Sequence, residues 1–408
     1  MFNFRIIGNI IGIMLVIVGG LMFTGIPVSI YYEEGDFLAF LYSGLISTSL
    51  GFYLWKGIKG KEENTKNSLK KREGYLIVTI GWISMSFIGT LPYIISGNIP
   101  SITDAFFETI SGFSTTGASI LDDIEATHKG ILYWRSLTQW IGGMGIIVMT
   151  VAILPILGIG GMELFVAEAP GPTSDKLHPR IKETAKRLWG IYVILTGVLF
   201  LLLWMGEMSF YEAINHALTT MATGGFSTKN ASIAHYNSAY IEYIITFFMF
   251  IAGTNYTLLY FGFKGKLSRF WQHEEFKVYA ATILGLTLMV FASILYSSSA
   301  GIEKAFRDAI FQVVSVITTT GFVSADYTQW TPFVTILFLI MMFLGGSAGS
   351  TSGGVKIVRH LTMAKNCFVE LRRLLHPRAI IPVKLNGKIV SPNIISHVLV
   401  FILIYLIV

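Results

Sequence analysis

The sequence predicts an all-α polytopic membrane protein, assembled from repeated units of span, short re-entrant segment and span. Three observations carry this. Of the 408 residues, 53% are hydrophobic and only 13% are charged, against about 25% charged in soluble domains. Apolar stretches recur that approach or exceed the ~20 residues needed to cross a bilayer. A short pattern running from an acid to a glycine occurs three times, each time between two such stretches.

The expected spans are 5–30, 37–55, 74–96, 131–159, 184–205, 239–262, 278–298, an interrupted 331–358, and 390–408. The first is too long for a signal-peptide core and lacks a small-x-small cleavage site, so it reads as a retained helix. Segments 56–73, 176–187, 264–277 and 356–388 hold 24 of the 30 Lys and Arg residues. The alternate segments 31–36, 97–130, 207–238 and 300–330 hold only four. The positive-inside rule then places the N-terminus and the basic segments in the cytoplasm. Acidic residues lean the other way, with 14 of 24 in or beside the outer segments. An acidic outer face raises the local cation concentration. The net charge of +6 thus follows topology, and no nucleic-acid partner is expected. The single cysteine, Cys367, excludes an internal disulfide.

Aligned on a glycine, the outer segments are DAFFETISGFSTTG (104–117), EAINHALTTMATGG (212–225) and DAIFQVVSVITTTG (308–321). Each opens with an acid and Ala and reaches Gly 13 residues later. About ten helical residues give ~15 Å, half a bilayer, so each segment enters from the outer side and turns back. Asp104, Glu212 and Asp308 are expected as helix N-terminal caps, where a carboxylate complements free N–H groups and the positive dipole end. The opposite, partially negative end points into the membrane and favours a cation. The stretches Thr115–Thr116–Gly117, Thr223–Gly224–Gly225 and Thr319–Thr320–Gly321 follow. Non-helical backbone at that depth is tolerated only inside protein or along a watery cavity. Carbonyls lining such a cavity replace the hydration shell of a monovalent cation. Glycine permits the backbone conformations this needs. The units are therefore expected around a central ion pathway. The chain divides into 1–73, two N-terminal spans with a basic loop; 74–182, repeat one; 183–275, repeat two; 276–389, repeat three with an interrupted second span; and 390–408, the start of repeat four.

Six motifs, taken together, resemble one family. They are FSTTGAS (113–119), MATGGFST (221–228), TTTGF (318–322), GGMGIIV (142–148), LPILGIGGMELF (154–165) followed by PRIKETAKRLW (179–189), and GGSAGSTSGGVK (345–356). The sequence is similar to the Trk/Ktr/HKT superfamily of potassium transporters, most closely its TrkH branch. Two spans before the first repeat fit that branch better than the shorter Ktr subunits. The resemblance implies four repeats around one potassium pathway, each with a filter segment centred on glycine. Gly117, Gly225 and Gly321 match those positions and are the expected potassium-binding sites. Glycine in the first filter implies preference for potassium; plant relatives with serine there pass sodium. A fourth filter is expected beyond Val408, so the sequence is read as partial, its fourth repeat truncated. The resemblance further implies the bacterial cytoplasmic (inner) membrane and a homodimer. It also implies a cytosolic nucleotide-binding regulatory subunit resembling TrkA, docked on the basic segments 160–190 and 360–390. No cofactor is expected beyond the transported potassium ion.

Channel-like permeation is favoured because the three short segments share one polarity. A sodium- or proton-coupled potassium symporter, of the kind built from inverted repeats, is the alternative. An intramembrane enzyme would need a catalytic dyad within the spans, and none is found. The eight histidines lack metal-ligand spacing. His216 reads as packed and hydrogen-bonded, with a proton relay the alternative at membrane depth. Arg135 reads as solvated or interfacial, with a functional role the alternative, Asn255 and Tyr256 as interhelical hydrogen-bonding residues, and Trp134, Trp140 and Trp330 as interfacial anchors.

The stretch GGSAGSTSGG (345–354) is not a phosphate loop: Val355 separates Gly354 from Lys356, and Ile357 stands where Ser or Thr is required. Fourteen almost wholly apolar residues before it, expected as helix, cover ~21 Å of a ~30 Å membrane core, so it begins inside the membrane. Its five glycines cost about 1 kcal/mol of helix propensity each and should break the span. Close packing between helices is one reading. The resemblance implies a gate loop obstructing the pathway, formed by Gly345, Gly346, Ser347, Gly349, Ser350, Thr351, Gly353 and Gly354. Ser347, Ser350, Thr351 and Ser352 are expected to satisfy the freed backbone.

Overall fold

The computed structural model describes residues 4–57, 71–145, 181–297, 301–376, 379 and 381–407. The chain forms two compact units, the first running to Ile245 and the second beginning at Thr246. Most of the basic segment 56–73, the later part of the expected span 131–159, and LPILGIGGMELF lie outside the described residues. Among the described residues five helices are long and apolar enough to cross a membrane, or six with one bent pair.

The first unit opens with helices Phe4–Met22 and Phe37–Gly57, joined through Gly25–Tyr32. Glycines mesh the two long helices. A side chain at Gly12 would stand 2.7 Å from the Gly51 carbonyl, and one at Gly19 would stand 2.9 Å from the Gly44 carbonyl. Lipid supplies no hydrophobic drive between helices, so close backbone approach through small residues holds them together. Ser47 Oγ–H donates across the same seam to the Leu15 carbonyl at 2.7 Å. Helices Lys71–Gly89 and Leu91–Ile95 lead into the first short helix, Ile102–Phe113. Helices Lys129–Gly143 and Ile181–Met205 follow, then the second short helix, Phe210–Met221. The core gathers Met14, Phe40, Tyr93, Phe113 and Trp134. Trp134 is thus a core residue and not an interfacial anchor: it is 1% exposed, and its Nε1–H donates to the Gly89 carbonyl at 3.0 Å. A satisfied indole N–H makes that burial favourable.

Helix Ala239–Ala252 ends at Gly253, and Tyr256–Phe263 leaves it at 107°, so the expected span 239–262 is broken. Asn255, expected to hydrogen-bond between helices, instead caps the second piece, its Oδ1 accepting the Thr257 N–H at 2.7 Å. In the second unit, helix Glu274–Ser297 precedes the third short helix, Ile302–Ile317. The interrupted span appears as Pro332–Met341, and helix resumes only at Ile357–Leu375. A hairpin of two-residue strands, Lys384–Leu385 with Lys388–Ile389, forms the one sheet among the described residues. Asn386 and Gly387 turn it with φ of 49° and 77°, the left-handed pair a tight hairpin requires. Helix Pro392–Ile407 follows.

Candidate functional site

The three short helices stop four residues before their glycines: Phe113 before Gly117, Met221 before Gly225, Ile317 before Gly321. The first two have 12 residues and the third has 16, one more turn at its start. This corrects the expected caps. Asp308 lies well inside the third helix, whose N-cap is Gly301. Asp104 and Glu212 are not the caps either. Ser101 and Ser209 are, their hydroxyls accepting the Asp104 and Glu212 N–H groups at 3.4 and 3.2 Å. A short hydroxyl at the N-cap reaches the N–H three residues on, and an acid there complements the dipole. Only Glu212 returns the bond, its Oε2 accepting the Ser209 N–H at 3.3 Å and completing a capping box.

At the other end all three helices close in the same way. Thr115 N–H donates to the Gly112 carbonyl at 3.0 Å and Thr116 N–H to Ser111 at 2.9 Å. The second turn repeats this with Thr223 to Thr220 at 3.0 Å and Gly224 to Thr219 at 2.9 Å. The third has Thr319 to Val316 at 3.0 Å and Thr320 to Ser315 at 2.9 Å. This is the Schellman closure, whose left-handed residue is usually glycine. Here it is threonine: Thr115, Thr223 and Thr319 have φ of 55°, 52° and 56°. A β-branched residue in that region is an outlier and stores about 1–3 kcal/mol of strain. Two residues later Gly117, Gly225 and Gly321 are also left-handed, at 79°, 75° and 83°. Sequence reasoning missed the threonine conformation, although its signal was present as Thr two residues before each glycine. In the first and third turns a helix serine closes the loop. Ser111 Oγ–H donates to the Ala118 carbonyl at 2.5 Å and Ser315 Oγ–H to Phe322 at 2.8 Å.

The structure brings the first two turns together in the first unit. A side chain on Gly117 would overlap the Gly224 carbonyl oxygen. Helix Lys129–Gly143 stands behind both. Its Gly142 leaves no room for a side chain beside the Phe113 carbonyl, and one on Gly143 would lie 2.6 Å from Ala222 Cα. Arg135, expected at an interface, is 2% exposed. Its Nε–H donates to Glu108 Oε1 at 2.5 Å and its Nη1–H to the Ser227 carbonyl at 3.0 Å. Glu108, absent from the sequence-predicted site, is fully buried and also accepts from Ser119 Oγ–H and the Ile120 N–H, each at 3.0 Å. Burial is tolerable because nearly every polar atom of the pair has a partner. His216 is packed and hydrogen-bonded as expected. Its Nδ1 lies 2.8 Å from the Glu212 carbonyl and so carries the proton, leaving Nε2 to accept from Ser227 Oγ–H at 3.0 Å. On the connecting loops, Asn230 Nδ2–H donates to Asp123 Oδ1 at 2.9 Å and holds that carboxyl below its ordinary pKa.

The third turn belongs to the second unit, where loop 345–354 packs behind it. Gly353 N–H donates to Thr319 Oγ1, the strained threonine, at 2.6 Å. The loop also fills the break after Ala252. Ser347 N–H donates to the Gly253 carbonyl at 2.8 Å, Thr351 Oγ1–H to Ala252 at 3.2 Å, and Tyr256 N–H to Gly349 at 3.0 Å. Buried Glu275 accepts the Ala348 N–H at 2.6 Å. Ser350 Oγ–H donates to the Ser347 carbonyl at 2.6 Å and Ser352 Oγ accepts the Gly346 N–H at 3.0 Å. Ser347 is the exception among the expected hydroxyls: its Oγ is buried with no partner among the described residues. Lys356 Nζ donates to the Ser352 carbonyl and anchors the far end. The glycines have separate reasons. Gly349 and Gly354 are left-handed, at 73° and 66°. A side chain on Gly346 would lie 2.7 Å from the Gly253 carbonyl.

Known proteins share the overall fold. The crystal structure of the potassium transporter TrkH from Vibrio parahaemolyticus superposes with a TM-score of 0.87 at 36% identity, covering 100% of this chain and 84% of that one. The Trk system potassium uptake protein TrkH of Escherichia coli K12 is 41% identical over 403 residues, 97% of this chain and 82% of its own length. The Vibrio parahaemolyticus protein of the same name is 38% identical over 402 residues, with the same coverage. The TrkH cation transport protein family model matches residues 48–408. The chain belongs to the TrkH family of cation transport proteins.

Proposed function

We propose that this chain is the potassium-translocating subunit of a Trk-type uptake system, in which dehydrated potassium passes backbone carbonyls around Gly117, Gly225 and Gly321. One observation carries it: three helix ends share the same two closing hydrogen bonds, the same strained threonine and the same left-handed glycine. Strain of that kind persists where the surroundings over-determine it, typically at functional sites. A helix C-terminus adds partial negative charge, and carbonyls there replace water around a monovalent cation. Relatives named for potassium uptake support the choice of ion.

In the same proposal loop 345–354 is the gate. Its hydrogen bonds to Thr319 and to the break after Ala252 support a segment held in one position yet built on glycine. The bacterial inner membrane, a cytoplasmic N-terminus, a homodimer and a TrkA-like nucleotide-binding regulator complete the proposal. Alternating basic segments support the orientation.

The test is rubidium uptake, with sodium competition, in cells lacking their own potassium uptake. Gly117→Ser and Gly321→Ser should both weaken discrimination against sodium. Unchanged selectivity in both variants would overturn the filter.

A further inference from the structure

We infer that Gln139 and Arg135, on the helix of repeat one, are positioning residues that set the ion selectivity of the second turn; this rests on the carbonyl-filter function proposed above. The two peptide groups flanking Gly225 are held by one carboxamide. Gln139 Nε2–H donates to the Gly224 carbonyl at 2.7 Å, and its Oε1 accepts the Phe226 N–H at 3.1 Å. A planar amide bonded on both sides of Gly225 fixes the local backbone as a neighbouring strand would. The fit leaves no slack, since a side chain on Gly224 would overlap that amide.

One turn earlier on the same helix face, Arg135 continues the contact. Its Nη1–H reaches the Ser227 carbonyl at 3.0 Å and its guanidinium lies 3.6 Å from the Phe226 ring centre. Residues 224, 226 and 227 are thus gripped by two side chains of another repeat. Glu108 orients Arg135 through the 2.5 Å contact and binds Ser119 and Ile120, the chain leaving the first turn. All three side chains are buried. Neither Gln139 nor Arg135 is required to touch the ion. They act by orienting the peptide groups of the second turn, on whose spacing and freedom to relax discrimination among cations depends.

Gln139→Leu removes both amide bonds at similar volume. Gln139→Glu keeps the shape and an acceptor for the Phe226 N–H, but no longer donates to the Gly224 carbonyl. Arg135→Lys retains the charge beside Glu108 while losing the planar fork. In the rubidium assay, with the amount of protein in the membrane measured, Gln139→Leu should shift sodium inhibition toward stronger competition by about tenfold, the worth of one to two hydrogen bonds. Gln139→Glu and Arg135→Lys should shift it in the same direction by less. Gly321→Ser, which Gln139 does not touch, reports the filter itself. A shift in Gly321→Ser with none in any Gln139 or Arg135 variant present in the membrane overturns the clamp and leaves the filter standing. No shift in any of them overturns both. Reduced maximal uptake with unchanged sodium competition also overturns the clamp, since it marks a merely structural role.

Discussion

Gly117 and Gly321 have nearly the same backbone conformation, yet they should not tolerate a methyl group equally. Each is left-handed, at 79° and 83°, and an L-residue there costs about 1–2 kcal/mol. At Gly321 the cost stops at that point, because a Cβ meets nothing within 4 Å. At Gly117 the Cβ overlaps the Gly224 carbonyl. That oxygen is held by Gln139 Nε2–H at 2.7 Å, so it moves only by weakening a buried hydrogen bond, at a further ~1–3 kcal/mol. The difference corresponds to roughly 5- to 150-fold. Initial rubidium uptake, normalised to protein in the membrane, should therefore fall by at least about fivefold more in Gly117→Ala than in Gly321→Ala. Removing the tether should relieve part of that extra penalty, so Gly117→Ala and Gln139→Ala should be less than additive. Equal losses in the two glycine variants, or full additivity with Gln139→Ala, would refute this chain of reasoning.

Deleting residues 347–352 should raise basal flux by opening the pathway; unchanged or lower flux in a well-expressed variant would favour a purely packing role for the loop. Thr319→Val removes the acceptor for the Gly353 N–H while keeping the shape, so resting rubidium flux should rise, whereas Thr319→Ser should behave as the parent. Equal flux in the two variants would sever the loop from the turn. Ser209→Ala should cost about 1 kcal/mol through the lost cap, measured by denaturation in detergent, and an unchanged midpoint would count against the capping box.

Much of this protein is settled locally, and that part was legible in the sequence. Composition and the spacing of charge determined a polytopic membrane protein, because a bilayer demands long apolar helices and sorts basic loops to one side. The acid-to-glycine spacing marked the three turns, because a helix closing at a fixed depth needs a left-handed residue at a fixed offset, while threonine as the first left-handed residue emerged only in the structure. Five glycines in ten residues signalled that this span is interrupted, though the helix already stops at Met341, before the first of them. The partners of buried polar groups were another matter. Arg135, read alone, looked interfacial because a lone charge is costly in a membrane; its acceptors, Glu108 and the Ser227 carbonyl, lie 27 and 92 residues away. Gln139 carried no signal at all, since an amide becomes a clamp only when a backbone 85 residues distant arrives beside it. Asp308 aligned with two helix starts, and the extra turn that moved it inside its helix is not marked by spacing from the glycine. Thr319 offered a hydroxyl at a predictable place, but that it receives the Gly353 N–H follows only from where the loop packs. Periodicity and turn chemistry act over a few residues and are written in the sequence. Hydrogen-bond pairing between distant helices depends on how those helices are placed, and only the tertiary structure decided it.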